Sequence, residues 1–376
     1  MDFGISNSYL EIDFSTVSAN VKKIRAGIDQ HVRLMPVLKG NAYGVGMVPY
    51  AKHLIGKCGI NVIACAEAYE ALQLYDAGIR CELLVLAGVP YHNIPCVVSN
   101  GFMSPAYNIE YLERLNREAG SQNRIARVHI KLDTGLNRIG VLPGQELEAL
   151  CRVLGKMKNI SAVGAFTHFV ESDAVDKSFT HLQMRRFKTG LDQILGHGIN
   201  LEYIHAFNTS AVSWLRDPAV THIRAGGLFL GYDTCLEPEN GIGVEECMSW
   251  RAFVTNIRKI QTGETAGYGH TFRATRPTTI AVVSVGYGDG YSRYLAAFQG
   301  AEMIVNGQRA RIVAVCMDQM LLDVTGIDVR MNDTVTLLGR DGVEYISAME
   351  LQKKMGQIYL AVLAGITSRV QRVYIP

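Results

Sequence analysis

Hydrophobic and polar positions fall into two textures along the chain. From about residue 33 to 226, short apolar runs alternate with stretches whose apolar residues recur at helical spacing. The apolar runs are RLMPVLK (33–39), NVIAC (61–65), ELLVLAG (82–88), GFMSPA (101–106), ARVHIKL (126–132), AVGAFTH (162–168), LEYIHAF (201–207) and VTHIRAG (220–226). Between them, AEAYEALQLYDAG and SFTHLQMRRFKTGLDQILGHG read as helices, the second stopped by Gly196 and Gly198. Strands that alternate with helices pair in parallel, and eight such units predict an α/β fold closed as a (β/α)8 TIM barrel. An open doubly wound sheet fits the same alternation.

After about residue 245 the period shortens to two. RAFVTNIRKIQTGE, TTIAVVSVGYGD, AEMIVNGQRARIVAV, DTVTLLGR and SRVQRVYI read as strands separated by Gly, Asn and Asp turns, with VNGQ as a tight hairpin. These segments predict a C-terminal all-β domain. The expected boundaries are 12–244 for the barrel and 245–376 for the β domain, with residues 1–11 open to packing with the latter. A length of 376 residues suits two domains.

Composition narrows the function. A formal charge of +2 argues against a nucleic-acid binder and against attraction to acidic membranes. None of the eight cysteines forms a C-x-x-C pair, which excludes zinc-ribbon and thioredoxin-like readings and suits a reduced, cytoplasmic setting. No metal site is expected. The opening MDFGISNSYLEIDF lacks the apolar core of a signal peptide, and no apolar run is long enough to span a bilayer. If the chain is a piece of a membrane-anchored protein, the anchor lies outside it.

In a parallel barrel, reactive side chains gather at the carboxyl ends of the strands. The first strand ends in Lys39. A lysine there either snorkels to solvent or, with its charged form disfavoured by burial, suits imine formation with an aldehyde cofactor. The fifth strand carries Lys131, followed by Arg138; an ion pair of Lys131 with Asp133 or another acid is the plainer reading. The sixth ends at His168. The seventh offers His205, Asn208, Thr209 and Ser210. The eighth ends in Arg224, then Gly226 and Gly227, whose backbone N–H groups suit a phosphate. Each residue alone reads as structural; together they make a polar rim. The β region adds Tyr268, Tyr287 and Asp318, and nothing in composition separates these tyrosines from packing residues.

At these residues the chain resembles the alanine racemases, fold-type III pyridoxal-phosphate enzymes, over nearly its whole length. The resemblance implies pyridoxal 5'-phosphate as cofactor, with Lys39 in VLKGNAYG as its Schiff-base lysine and Tyr43 bonding its phosphate. Lys131 in KLDTGLNR matches a lysine often carbamylated in the family. Arg138 matches the arginine near the cofactor's phenolic oxygen and the substrate carboxylate. His168 matches the histidine beside the ring, and Arg224 the arginine at the pyridine nitrogen, which would stay an unprotonated acceptor. Thr209, Gly226 and Gly227 match phosphate-holding positions, and Asn208 is grouped with them. Tyr268 matches the catalytic tyrosine, which enters the site from the other subunit of a homodimer. Tyr287, Met317 and Asp318 match residues lining that contribution. The implied reaction is two-base racemisation of alanine, Lys39 on the D side and Tyr268 on the L side, supplying D-amino acid for peptidoglycan.

Two departures stand out. Where the family has a phosphate-bonding tyrosine about nine residues before the arginine of TSRV, this chain has Leu360, beside Tyr359. Related serine racemases of glycopeptide-resistance clusters also lack that tyrosine, so L- and D-serine form a second candidate substrate pair. RAGG also replaces the commoner RPGI. Barrel decarboxylases of this cofactor class place a glutamate where Arg224 stands, which argues against them. A non-catalytic cofactor-binding protein is the remaining rival, and such single-barrel relatives lack the β domain.

Overall fold

The computed structural model describes residues 4–234, 241–298, 300–356 and 358–376. They form two compact units: one of residues 17–42 and 47–245, the other of residues up to 16, 43–46 and 246–376. The interleaving reflects β1 (Ser8–Asp13), which runs past the expected start of the barrel and pairs with strands of the second unit.

The first unit is the barrel. Its strands are β2 (Arg33–Leu34), β3 (Val62–Cys65), β4 (Glu82–Val85), β5 (Ser104–Ala106), β6 (Ala126–Lys131), β7 (Ile160–Phe166), β8 (Tyr203–His205) and β9 (His222–Ile223). All regular pairings among them are parallel. The ring closes through single bridges and bonds where the ladders are short. Val37 bridges Ala64, Leu84 bridges Met103, and Thr221 N–H donates to Ile204 O at 2.9 Å. β9 then pairs back onto β2. An open sheet would leave that pairing unmade, so the barrel alternative holds. Several paired segments are much shorter than the apolar runs that announced them, because the strand ends curl into the loops that carry the rim.

Helices cover the barrel for local reasons. In Ile109–Ser121, the Asn108 side chain accepts from Tyr111 N–H at 2.7 Å, and Tyr111, Leu112, Leu115 and Ala119 form its buried stripe. The predicted long helix runs Ser178–Gly196, and Gly198 at φ +74° turns the chain away. Met35, Val37, Val62, Ala64, Leu84, Met103 and Tyr203 pack as a core cluster inside the ring.

The second unit holds β10 (Met248–Ile260), β11 (Thr265–Ala266), β12 (Phe272–Arg273), β13 (Thr278–Val283), β14 (Glu302–Val305), β15 (Gln308–Val315), β16 (Met320–Asp323), β17 (Thr334–Asp341), β18 (Glu344–Ile346) and β19 (Gln371–Ile375). A nine-stranded sheet runs β18-β17-β14-β15-β16-β13-β10-β1-β19, and β17 also pairs with β10, which closes six of these strands into a ring. The hairpin read from VNGQ forms with Asn306 and Gly307 at φ +50° and +71°. This region also carries short helices at Arg293–Phe298, Ala348–Met355 and Tyr359–Ala364, which the period-2 reading did not include.

Candidate functional site

Lys39 follows directly on the bond from Leu38 N–H to Ala64 O (2.8 Å) that seats the end of the first barrel run. Gly40, Asn41, Ala42 and Tyr43 then turn left-handed, with φ of 62°, 54°, 55° and 55°. Such φ values cost non-glycine residues on the order of 1 kcal/mol each, so the turn needs external anchors. Asn41 Oδ1 accepts from Met47 N–H at 2.9 Å. Glu70 accepts from Gly40 N–H and from Ala66 N–H, each at 2.7 Å. Lys39 stands at the open end of the barrel, yet partial burial pulls its amine below the usual lysine range. Arg138 and Arg224 push in the same direction, and Glu70 opposes them.

Lys131 is buried, and loss of water brings its amine down to about 7, helped by Arg224 and Arg138 and opposed by Asp133. Its ammonium donates to Leu132 O at 3.2 Å and lies 5.0 Å from the centre of the Phe166 ring. The expected Lys131–Asp133 ion pair is not formed among the described contacts. Asp133 Oδ1 instead accepts from Gly135 and Asn137 N–H at 2.8 and 3.2 Å, shaping the loop that presents Arg138.

Arg224 is buried at the end of the last barrel strand, and bonds to described residues of neighbouring strands fix its guanidinium. One nitrogen donates to His205 Nδ1 (2.8 Å) and His205 O (3.2 Å); another donates to Thr167 O (2.8 Å) and His168 Nδ1 (3.1 Å). Burial holds His168 and His205 far below the usual imidazole range, and Arg224 adds to it. Both rings are therefore neutral acceptors toward Arg224 at neutral pH. Lys39, Lys131, Arg138 and Arg224 all act electrostatically on His168, so the five groups share one small region.

After β8, Asn208 caps the short helix Thr209–Trp214, its Oδ1 accepting from Ala211 N–H at 3.3 Å and from Ser172 Oγ at 2.6 Å. After β9, Gly226 leads into a 3-10 turn at Gly227–Leu230. The first N–H groups of such turns have no carbonyl of their own turn to meet. They follow neighbouring strands, and Ser210 Oγ meets Thr234 Oγ1 at 2.5 Å. Helical turns after the last two strands form a common phosphate cradle in this architecture.

Tyr268, Tyr287, Met317 and Asp318 lie in the second unit, and Tyr43 is grouped with that unit as well. Tyr268 is 74% exposed and sits on a 3-10 turn at φ-positive Gly267, whose missing side chain lets the turn lie against Ala314. Tyr287 N–H donates to Cys316 O at 3.0 Å and Gly288 N–H to Met317 O at 2.7 Å, so Tyr287 and Met317 belong to abutting turns. Buried Asp289 holds them, accepting from Gly286 N–H and Arg369 Nε, each at 2.9 Å. Leu360 is half-buried in its helix and Tyr359 is buried, so Tyr359 does not share Leu360's outlook.

Sequence reasoning missed Glu70 and His129 and did not connect His205 to Arg224. Glu70 reads as an ordinary helix-surface acid, and no local signal sets it apart. His129 had one: in VHIKL it lies two residues before Lys131, on the same face of the strand.

What gathers in the barrel is an electropositive cluster with a buried low-pKa amine and neutral imidazoles. It suits an anionic group, an aldehyde to hold covalently, and a ring nitrogen to receive a guanidinium N–H. Residues 12–234 match the family model of the alanine racemase N-terminal domain, and 247–374 that of its C-terminal domain. The alanine racemase of Methanococcus maripaludis is 32% identical over 370 residues, covering 98% of both chains. That of Halothermothrix orenii is 33% identical, covering 98% of this chain and 96% of its own. The crystal structure of alanine racemase from Bacillus anthracis with bound L-Ala-P superposes with a TM-score of 0.92 at 31% identity, covering 100% of this chain and 96% of that one. The chain belongs to the alanine racemase family and is a racemase built on that family's barrel and C-terminal domain.

Proposed function

We propose that the protein interconverts L- and D-alanine, with pyridoxal 5'-phosphate held at the barrel mouth. The observation that carries the reading is the convergence of Lys39, Lys131, Arg138, His168 and Arg224 with two N–H-presenting turns. Bound there, the cofactor supplies the electron sink that acidifies the substrate's α-carbon. Lys39 would attach it through its amine, whose charged form is disfavoured by burial and by Arg138 and Arg224. Thr209, Gly226 and Gly227, with Asn208 and Tyr43, would hold its phosphate. Arg224, a donor that cannot deprotonate, would face the ring nitrogen and keep it an acceptor, while His168 packs beside the ring and Arg138 takes the substrate carboxylate.

Lys131 fits carbamylation. A buried amine near 7 has a substantial unprotonated, nucleophilic fraction at neutral pH, and adding CO2 with release of one proton turns it into an anion. Arg138 and Arg224, which disfavour the ammonium, would favour that anion.

Lys39 would move the α-proton on the D side and Tyr268 on the L side. Tyr268 would come from a second copy of the chain, with Tyr287, Met317 and Asp318 around it. In support, Tyr268, Tyr287 and Met317 are large and exposed at 74, 41 and 59%, a grouping that a partner surface would bury. Mixing inactive Lys39→Ala and Tyr268→Phe proteins tests this: heterodimers carry one intact site, so activity should return. No recovery after verified subunit exchange contradicts the trans assignment.

The alternative substrate is serine. It is favoured by Leu360, which lacks the hydroxyl of the phosphate-bonding tyrosine that the family resemblance leads one to expect at that place. Incubating the cofactor-loaded protein with single L-amino acids and separating products on a chiral column decides the matter. D-alanine as the fastest product supports the primary reading; D-serine as the fastest replaces it. If no D-product forms from any amino acid, the racemase reading fails.

A further inference from the structure

Behind Arg224 a hydrogen-bonded line runs into the apolar core of the barrel. His205 Nδ1 meets the Arg224 guanidinium at 2.8 Å, and its Nε2 meets His129 Nδ1 at 2.8 Å. His129 Nε2 lies 3.3 Å from the Met103 sulfur, which belongs to the core cluster. The residues at the two ends set the direction. A guanidinium only donates, so His205 Nδ1 must accept. His205 then carries its proton on Nε2 and donates to His129 Nδ1. His129 must carry its proton on Nε2, pointing it at a thioether, which can only accept. The opposite wiring would ask arginine to accept and methionine to donate. A second proton on either ring would set N–H against N–H. Both imidazoles are fully buried, and burial drives both far below their usual range, His129 to about 3.

We propose that His129 is a positioning residue for Arg224: by accepting from His205 Nε2–H it fixes the one tautomer of His205 whose Nδ1 can receive the guanidinium. A flipped His205 tautomer would turn an N–H toward Arg224 and displace it. The backbone makes room for the device. A Cβ on Gly164 in the adjacent β7 would stand 2.7 Å from His129 Nδ1 and 2.8 Å from Tyr203 O, so only glycine lets the ring lie there. The role toward the cofactor rests on the reading given under Proposed function; the tautomers do not.

The test begins with wild-type protein carrying 15N-histidine, whose signals are assigned by single His129→Asn and His205→Gln replacements. Both His129 and His205 should show a protonated Nε2 and a bare Nδ1 across pH 6–8, with and without pyridoxal phosphate. An Nδ1-protonated or doubly protonated ring at either position overturns the relay.

The functional half uses two variants of the cofactor-loaded enzyme. His129→Leu removes the acceptor. It should lower kcat roughly tenfold or more, the size typical of losing an outer partner that orients a site residue, with a smaller change in KM. It should also shift the visible absorbance of the bound cofactor. His129→Asn places an acceptor oxygen near the old Nδ1 and should recover much of both losses. If His129→Leu does not fold, Gly164→Ala, which replaces no relay residue but crowds the His129 ring out of its position, should show the same spectral shift. Unchanged spectra and kcat in a folded variant overturn the role toward Arg224. Failure of wild-type protein to take up pyridoxal phosphate is a separate result: it defeats the cofactor reading, and the tautomers still decide the relay.

Discussion

The barrel and the β unit present their candidate chemistry in opposite ways. In the barrel, Lys131, Arg224, His129 and His205 are buried, and each polar atom has a fixed partner or a fixed field around it. In the β unit, Tyr268, Tyr287 and Met317 stand exposed on turns that are themselves rigidly held, as by Asp289. The first arrangement tunes charge and proton position in place. The second offers a shaped surface whose chemistry needs something set against it.

Changes on the barrel side should be the most severe. Lys39→Ala removes both the covalent anchor and one base, and racemase activity should fall about ten-thousand-fold or more, measured by chiral separation at saturating cofactor. Retention of a tenth of the activity would end the assignment. On the β side, Tyr268→Phe should cost about a hundred- to ten-thousand-fold, in both directions together. It should leave a signature: with Lys39 intact, D-alanine in D2O should exchange its α-hydrogen faster than it racemises. Equal rates would argue that one base serves both faces.

Acid should separate the two units by stability. Nine of the ten histidines lie in the barrel unit, the exception being His270. His129, His168, His205 and His222 are held below the ordinary 6.5, His222 at about 4. As pH falls below 6.5, the unfolded chain binds protons that these rings refuse in the folded barrel, so stability falls. The loss is about 1.4 kcal/mol per pH unit for each such group. Urea midpoints read by probes in each unit should show the barrel weakening first between pH 7 and 5; a fall confined to the β unit would contradict this. The smallest effect is structural. Trp250 Nε1 donates to Ser8 Oγ at 2.8 Å inside the β unit. Ser8→Ala leaves that buried donor unmet and should cost about 1–3 kcal/mol, with activity per folded molecule unchanged.

The same contrast decided what the sequence could tell. The eight apolar runs announced the barrel because parallel strands covered on both faces are apolar throughout, and their ends named Lys39, Lys131, His168 and Arg224. Glu70 and His129 stayed hidden because their importance lies in what they touch: two backbone N–H groups and one imidazole nitrogen, brought near by folding. In the β unit, period two exposed the strands, but Ala348–Met355 and Tyr359–Ala364 are short helices whose apolar faces are set by packing. Tyr268 carried no local mark, since an exposed tyrosine on a turn looks the same whether or not a second chain covers it.

The most direct test of the whole account is chemical. Protein loaded with pyridoxal phosphate is reduced with borohydride, digested and mapped by mass spectrometry. A single phosphopyridoxyl group on the peptide carrying Lys39 is the predicted result. A label on another lysine, or none at all, would contradict it.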